Sequence, residues 1–370
     1  MKMKSVLKFV KNNAVAVIAF FAALVTMFIV PPSESYFGYI DFPVIVLLFC
    51  LMAAVAGLRS LGVFDAISGA LLSKTSSARL IAFILMNLCF FLSMLVTNDV
   101  ALITFVPLTL GLYQGTSAYS QLIMTIVIET AAANLGSMLT PIGNPQNLFL
   151  YSHYSMDIGA FMTAVALPAA LGYVLLCASV LLVKKTEVAK PVDKPVVKAG
   201  PRFWLYTAVF VLSVLSVAGI VSYIVCLIVA VTVMCIADYM LFTKIDYSLL
   251  LTFVFFFIFV GNLSSIDAVE SFVRELLSGK ELVVSALLSQ VISNVPAAAM
   301  LADFTDNAAE LLQGVNIGGL GTPVASLASL ISFRYYSASE GAKKGRYMAM
   351  FLCVNFAMLA ILLGAAVFVF

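Results

Sequence analysis

Apolar residues fall along this chain in long runs, too long and too continuous for a soluble core, and they read as membrane-spanning helices. The first run covers about Asn13 to Val30 and the second about Phe42 to Leu58, with Glu34 and Asp41 in the joint between them. Lys2, Lys4, Lys8 and Lys11 ahead of the first run look like a signal peptide. The apolar core is longer than a signal core, however, and no small-residue cleavage pattern precedes Pro31 and Pro32, so it reads as a span. Leu61 to Ser73 is amphipathic and reads as an interfacial connector. Residues 79–113 are apolar except for Thr97-Asn98-Asp99 in the middle. One straight helix of about 35 residues would measure some 50 Å, well beyond the roughly 30 Å hydrocarbon core. A re-entrant hairpin with its polar tip near the midplane fits better. Spans over 118–151 and 158–183 follow, then Lys184 to Arg202, rich in Lys, Pro and Val, which reads as a loop-like linker. Beyond it come spans at 203–219, 222–241 and 247–261, and a polar interfacial segment with Asp267, Glu270, Arg274 and Glu275. A second hairpin over 281–303 has Ser293-Asn294 at its tip, and runs at 308–333 and 347–370 end the chain.

Two of these runs are interrupted by polar and helix-breaking residues. Asn134 to Asn147 reads NLGSMLTPIGNPQN and carries Gly136, Pro141, Gly143 and Pro145 beside Asn134, Ser137, Thr140, Asn144 and Asn147. Unpaired amides and hydroxyls are costly in hydrocarbon, and a helix broken at membrane depth survives only where protein or a wet cavity satisfies it. Such a stretch marks a binding site. It occurs twice: Asn316 to Ser329 reads NIGGLGTPVASLAS, and moving 182 positions (134 to 316) lays Asn134 on Asn316, Gly136 on Gly318, Thr140 on Thr322 and Pro141 on Pro323. The same shift lays Asn144 on Ser326 and Asn147 on Ser329. Upstream, TNDVALITFVP from Thr97 corresponds to SNVPAAAMLAD from Ser293, with Asn98 over Asn294. Paired broken helices and paired polar tips are the sequence mark of a transporter built from internal repeats.

Charge placement gives an orientation. With the hairpins taken as non-crossing and Lys184–Arg202 in the cytoplasm, all of the 20 Lys and Arg except Arg274 and Lys280 fall inside. The count is then about nine membrane-crossing helices, with a cytoplasmic N-terminus and the C-terminus outside a bacterial-type inner membrane. Five crossings separate the starts of the two repeats, and an odd number inverts the second relative to the first. The expected fold is an all-α integral membrane protein with a first repeat over 1–183, a linker over 184–202, and an extra helix plus the second repeat over 203–370.

Composition adds little beyond this: 63% of residues are hydrophobic, 10% are charged, and a net charge of +2 gives no sign of a nucleic-acid partner. Six cysteines lie in apolar runs and read as buried thiols, and the single histidine, His153, without HExxH or CxxC spacing, gives no protein-ligated zinc site. Helix halves that begin at each break offer N–H groups and a positive dipole end to an anion, and halves that end there offer carbonyls to a hard cation such as Na+. Asn98 and Asn294 at the tips and Thr140 and Thr322 at the breaks are donors to an oxyanion or acceptors from a neutral solute. No Lys or Arg is expected in the membrane interior near them. Asp99 and Glu129, acidic at membrane depth, bind a cation or carry a proton unless they only brace the fold. Gly136, Gly143, Gly318, Gly319 and Gly321 taken singly read as close-packing glycines. Their duplicated setting beside Thr-Pro makes them breaks.

These motifs resemble the ion transporter superfamily, which includes divalent anion–sodium symporters, citrate-type permeases and arsenite efflux pumps. TND with NLGSMLTPIGNPQN is similar to the Ser-Asn-Thr tip and broken helix of the dicarboxylate symporters. SNVPAAAML with GVNIGGLGTPVASLAS is similar to the Asn-Pro tip and Thr-Pro-x-x-Ser-Leu break of the arsenite pumps. The resemblance spans both repeats. It implies one cation site at Thr97 and Asn98 with Gly136 and Ser137, a mirrored site at Ser293 and Asn294 with Gly318 and Gly319, and Na+ or H+ as coupling ion. It implies a small anionic substrate held between Asn98, Asn294, Thr140 and Thr322, with Asn144 and Ser326 in the same polar set. It also implies a homodimer in the lipid bilayer and an elevator-type motion. The chain departs from the pattern at Asp99 and Val295, which replace tip threonines, and Asp99 sets negative charge where a carboxylate would approach. The leading expectation is cation-coupled transport of a di- or tricarboxylate; the alternative on the same fold is arsenite or antimonite efflux or Na+/H+ antiport. An intramembrane enzyme is disfavoured, since there is no metal-ligand cluster, Gly-x-Gly-Asp pair or Ser-His pair. A channel suits two hairpin-closed sites less well than alternating access does.

Overall fold

A computed structural model describes residues 14–73, 75–188, 197 and 200–368. It is helical almost throughout. The helices in order are α1 (Ala14–Met27), α2 (Ser35–Tyr39), α3 (Phe42–Ser60), α4 (Val63–Leu72), α5 (Ala78–Val96) and α6 (Asn98–Tyr113). They continue with α7 (Leu122–Ser137), α8 (Pro145–His153), α9 (Ile158–Val180), α10 (Pro201–Val217), α11 (Tyr223–Ala237) and α12 (Tyr247–Ser264). The last six are α13 (Asp267–Leu277), α14 (Glu281–Ile292), α15 (Asn294–Leu301), α16 (Ala308–Ile317), α17 (Leu327–Ala338) and α18 (Lys344–Phe368). Among the described residues α3, α5, α9, α12 and α18 are each long and apolar enough to cross a membrane. Large apolar side chains such as Phe28, Leu182, Ile236 and Val291 stand exposed on the outside, as a lipid solvent requires. This is a multi-pass membrane protein.

The helices pack as two bundles. In the first, α12 lies on α1, and α3 packs against α10, α11 and α12. Gly57 of α3 makes the closest of these approaches possible, because a Cβ there would stand 2.5 Å from the ring of Tyr206 on α10. Asn262 rivets the bundle from within, donating to Thr26 Oγ1 (3.1 Å) and Tyr36 Oη (2.9 Å). The second bundle is built around α7, which touches α5, α6, α9, α17 and α18, while α16 touches α14, α15 and α9. The seam between bundles is formed by α3 against α8 and α12 against α15.

Helices meet at both polar tips. α5 and α6 meet at Thr97 with φ 73°, and α14 and α15 meet at Ser293 with φ 82°. A left-handed conformation at two non-glycine residues in matched positions is strain held by its surroundings. α7 stops at Ser137 and α8 starts at Pro145, and α16 stops at Ile317 and α17 starts at Leu327.

Two expectations need correcting. The span placed at 222–241 ends at Ala237, because Asp238 takes an extended conformation and its carboxylate caps the 3-10 turn Tyr239–Lys244 by accepting from Met240 N (3.0 Å). The start of the linker is tied to the first residues of α5: Thr186 O accepts from Ala78 N (2.8 Å) and Val188 N donates to Ser76 O (2.7 Å), while Arg79 donates to Val183 O and Leu181 O just ahead of it. Residues 189–196 and 198–199 lie outside the described residues. All six cysteines are free, but only Cys50, Cys89 and Cys226 are buried; Cys177 is half-buried, and Cys235 and Cys353 face outward. In a lipid solvent an outward-facing thiol carries no desolvation cost, so an apolar run does not imply burial.

At the end opposite the linker, Asp41 caps α3 through Val44 N (3.0 Å) and accepts from Ser152 Oγ (3.2 Å) of the other bundle. Burial raises the Asp41 carboxyl above the usual carboxylate range; the cap, Ser152 and nearby His153 pull it down by less. A raised value in the folded state means the fold binds that proton more tightly, so ionisation at neutral pH works against stability. Asp41→Asn therefore keeps the cap and leaves the thermal midpoint in detergent equal or higher at neutral pH, with the difference from wild type closing as pH falls. Asp41→Ala loses the cap and costs about 1 kcal/mol at neutral pH.

Candidate functional site

The two breaks lock together through amide side chains, and the locking is reciprocal. Asn134, at the end of α7, donates to Gly319 O (3.3 Å) and Ser329 Oγ (3.4 Å) in the second break and accepts from Ser326 Oγ (3.0 Å). Asn316, its counterpart at the end of α16, donates to Asn147 Oδ1 (2.7 Å) and accepts from Asn144 Nδ2 (3.0 Å) in the first break. Positions 144 and 147 move onto 326 and 329 under the same 182-residue shift that carries 134 onto 316. Each end-of-helix asparagine thus grips the start of the helix that follows the other break. Every one of these side chains is buried, where each unmade hydrogen bond would cost about 1–3 kcal/mol.

The tips are clamped to the breaks in the same paired fashion. Asn98 N donates to Gly143 O (3.2 Å), and Asn294 N donates to Ala325 O (2.9 Å). Thr140 Oγ1 donates to Met94 O, and Thr322 Oγ1 donates to Gln290 O (2.8 Å). Asn98 Nδ2 also reaches Asn134 Oδ1 (3.0 Å), which ties the first tip to the central lock. Ser293 Oγ bonds only weakly, to Ala325 O (3.4 Å) and Asn294 Oδ1 (3.5 Å). The N-termini of α6, α8, α15 and α17 all begin at these tips and breaks, where their dipole ends favour negative charge. Asn144 caps α8 through Asn147 N (2.9 Å) and donates to Ser137 Oγ (3.1 Å).

A cavity of about 500 Å³ opens beside the first tip, in the seam between the bundles. Thr97, Asp99, Val100 and Ile103 line it from the hairpin, Ile142 and Pro145 from the break, and α3 and the α11–α12 turn from the other side. Of the candidate residues, only Thr97 and Asp99 reach it. Asn98, Asn144 and Ser326 are buried in the lock, Asn294 is buried at the second tip, and Thr140 and Thr322 are spent on the hairpin carbonyls. Gly136 lets the α5 backbone approach, and a Cβ at Gly319 would stand 2.9 Å from Asn294 Nδ2. The carbonyls of Gly318 and Gly319 accept from Gln290 Nε2 (2.7 Å) and Asn134 Nδ2. Ser137 Oγ donates to Asn134 O (3.0 Å).

The first bundle supplies what sequence reading missed. Arg59, Lys244, Asp238 and Asp246 all line the cavity opposite Asp99, the two basic residues coming from a helix end and an inter-helix turn. Arg59 and Lys244 end or follow helices of the other bundle, and only the packing of α3 and the early stop of α11 swing them toward the tip. No motif marks them. Asn134, Asn147, Asn316 and Ser329 carried a signal, since they coincide under the repeat shift. His153 on α8 lies 3.5 Å from Asp303 at the far side of the same seam. No group of three or more His, Cys, Asp or Glu able to hold a metal occurs among the described residues.

Two broken helices gripping each other inside a polytopic membrane bundle, with a cavity at the seam, define a membrane transporter. The chain belongs to the citrate transporter family, whose sequence model matches residues 6–315. It is 34% identical over 326 residues to an uncharacterized transporter of Methanocaldococcus jannaschii, covering 88% of this chain and 89% of that protein. It is 31% identical over 315 residues to the inner membrane protein YbiR of Escherichia coli, covering 83% of each. A shorter match, 27% over 150 residues, covers 40% of this chain and 30% of the silicon efflux transporter LSI3 of Oryza sativa subsp. japonica.

Proposed function

We propose that this protein is a secondary active transporter that moves a small anion, a di- or tricarboxylate, across the inner membrane, coupled to Na+ or H+. The observation that carries this reading is the paired construction of the site: two tips 196 positions apart (98 to 294), and two breaks with a reciprocal lock 182 positions apart (134 to 316). That pairing supports two inverted repeats, about nine crossing helices and a site reached from opposite sides. The cavity at the seam supports an elevator in which the second bundle, carrying tips and breaks, slides against the first as scaffold. Arg59 and Lys244 offer an anion its countercharge, and the helix N-termini add to it. Na+ sites fall at Thr97 and Asn98 with Gly136 and Ser137, and at Ser293 and Asn294 with Gly318 and Gly319. The cytoplasm lies at the Arg59 and Lys244 end, the N-terminus lies inside and the C-terminus outside, and two copies form the working unit in the bilayer.

One observation favours a second reading. Asp99, Asp238 and Asp246 bring three carboxyl groups to a cavity with two basic side chains, which suits a neutral hydroxylated solute such as silicic or arsenous acid, exported against protons. The similarity to a silicon efflux transporter agrees with it.

Uptake of labelled succinate, citrate, phosphate, sulfate, arsenite and silicate into proteoliposomes, with an inward Na+ gradient, a proton gradient or neither, separates the two. The expected result is Na+- or H+-driven uptake of a carboxylate that falls by at least tenfold, about 1.4 kcal/mol of transition-state free energy, in Asn98→Ala and in Asn294→Ala. Asp99→Asn is expected to remove the proton dependence of flux and to leave Na+-driven flux in place. Proton-driven movement of arsenite or silicate with no carboxylate uptake establishes the second reading instead, and flux down a concentration gradient alone in every case overturns both.

A further inference from the structure

Glu129 sits midway along α7, fully buried, and takes no part in the cavity or the lock. Its Oε1 accepts from Thr109 Oγ1 of α6, and its Oε2 has no hydrogen-bond partner. The titratable groups that face it are Cys89 from α5, Tyr113 from α6 and Tyr347 from α18, and the Tyr347 hydroxyl is likewise buried without a partner. No Lys or Arg among the described residues forms an ion pair with it. Beside it Thr130 donates to Ser332 Oγ (2.8 Å) of α17, so that neighbour is already satisfied. An ion buried this way costs several kcal/mol, and a single hydroxyl does not offset it; a proton removes the charge altogether.

A ladder of hydroxyls begins one helical turn from this carboxyl, across a gap that no hydrogen bond among the described residues closes, and leads to the surface. α6 and α7 run antiparallel, so Thr109 and Tyr113, one turn apart on α6, face Glu129 and Thr125, one turn apart on α7. Thr125 Oγ1 bonds Tyr113 Oη (3.2 Å) and Gln121 O (3.1 Å), and Tyr113 Oη bonds Ala78 O (2.9 Å). Gln121 ends the ladder at the exposed Lys184 strap, accepting from Lys184 N (3.0 Å). In the other direction Asn134, the hub of the lock, lies five residues along the same helix, roughly 7.5 Å of rise.

We propose that Glu129 is an exchangeable proton site of the second bundle, separate from Asp99, filled from the Lys184 end through Tyr113 and Thr125. A proton brought by hydronium from bulk water at Gln121 passes along the Thr125 and Tyr113 hydroxyls and across one bridging water to the carboxylate, which becomes the neutral acid; each relay oxygen gains one O–H bond and gives one up, and the hydronium is left as water. The site does not depend on which solute the protein carries, so its test stands apart from the transport reading.

The test is infrared difference spectroscopy of the full chain in lipid nanodiscs, without solute. Wild type shows the carbonyl stretch of a protonated carboxyl that is missing in Glu129→Gln and moves to lower frequency on transfer to D₂O. The double variant Tyr113→Phe with Thr125→Val keeps the band but slows its exchange by about tenfold or more, the factor that 1.4 kcal/mol of barrier gives. Thr109→Val, which removes the one hydrogen bond to the carboxyl, shifts the band upward and assigns it even if Glu129→Gln does not fold. The proposal is overturned by a wild-type spectrum with no band sensitive to position 109 or 129. A band that D₂O does not move, or exchange unchanged in the double variant, overturns it equally.

Discussion

Asn134→Leu is expected to lower the stability of the folded protein by about 3 kcal/mol or more and to abolish solute flux, since it strands several buried polar groups at once. Asn134 accepts from Asn98 Nδ2 and Ser326 Oγ and donates to Gly319 O and Ser329 Oγ. An isosteric apolar side chain satisfies none of these, and each stranded donor costs about 1–3 kcal/mol in a dry interior. Asn316→Leu should act alike, because it strands Asn144 Nδ2 and Asn147 Oδ1 in the opposite break. Two changes 182 positions apart with matching effects on the thermal midpoint would mark the lock as one symmetric device. Asn87→Leu serves as a control: its amide reaches only Phe83 O and the Tyr173 hydroxyl at the bundle surface. A midpoint for Asn134→Leu within about 0.5 kcal/mol of wild type, the range of an ordinary surface change, would show that the lock does not hold the bundle together.

Gly136→Ala should be as damaging by a different route. A Cβ at Gly136 would stand 2.0 Å from Phe90 O and 2.6 Å from Phe90 C, and backbone cannot swing aside as a side chain can. α5 must then move bodily off α7, the helix on which the second bundle is built. Overpacking of this kind costs about 1–3 kcal/mol and sometimes more, and here the obstacle is the hairpin arm that carries Thr97 and Asn98 to their places. Expression of monodisperse protein and its thermal midpoint are the measurements, with flux as a second readout. Gly318→Ala, whose Cβ would meet Gly314 O at 2.7 Å and Ala286 Cα at 2.8 Å, should show a smaller loss in the same direction. Gly364→Ala on α18 has open space around it and should be neutral or gain up to about 1 kcal/mol of helix propensity. Equal midpoints for Gly136→Ala and Gly364→Ala would mean that α5 and α7 do not pack as closely as the structure has them.

The glycines show how one residue type takes two readings. In sequence, Gly136 and Gly318 look like parts of a binding break, and by family resemblance they contribute to cation sites. In the fold their absent side chains are what let a hairpin arm lie on a helix, and the Gly318 carbonyl is already taken by Gln290. Asp99 shows the opposite: polarity at membrane depth marked it, and the fold puts it on the cavity wall.

Most helices and their interruptions are legible in the chain. Length and apolarity of each run fix helices in a lipid solvent, and Gly, Pro and Asn break them. The sequence also marked the residues that cannot be left unpaired, because a buried amide without a partner is too costly to be accidental. Only the tertiary structure decided which of those amides face each other and which face a cavity. That choice depends on how helices from two bundles cross, and side chains such as Arg59, Lys244 and Asp246 carry no local pattern that says which neighbour they will meet. Helix periodicity assigns a residue to a face of its own helix, while the partner across that face is set by packing summed over the whole chain.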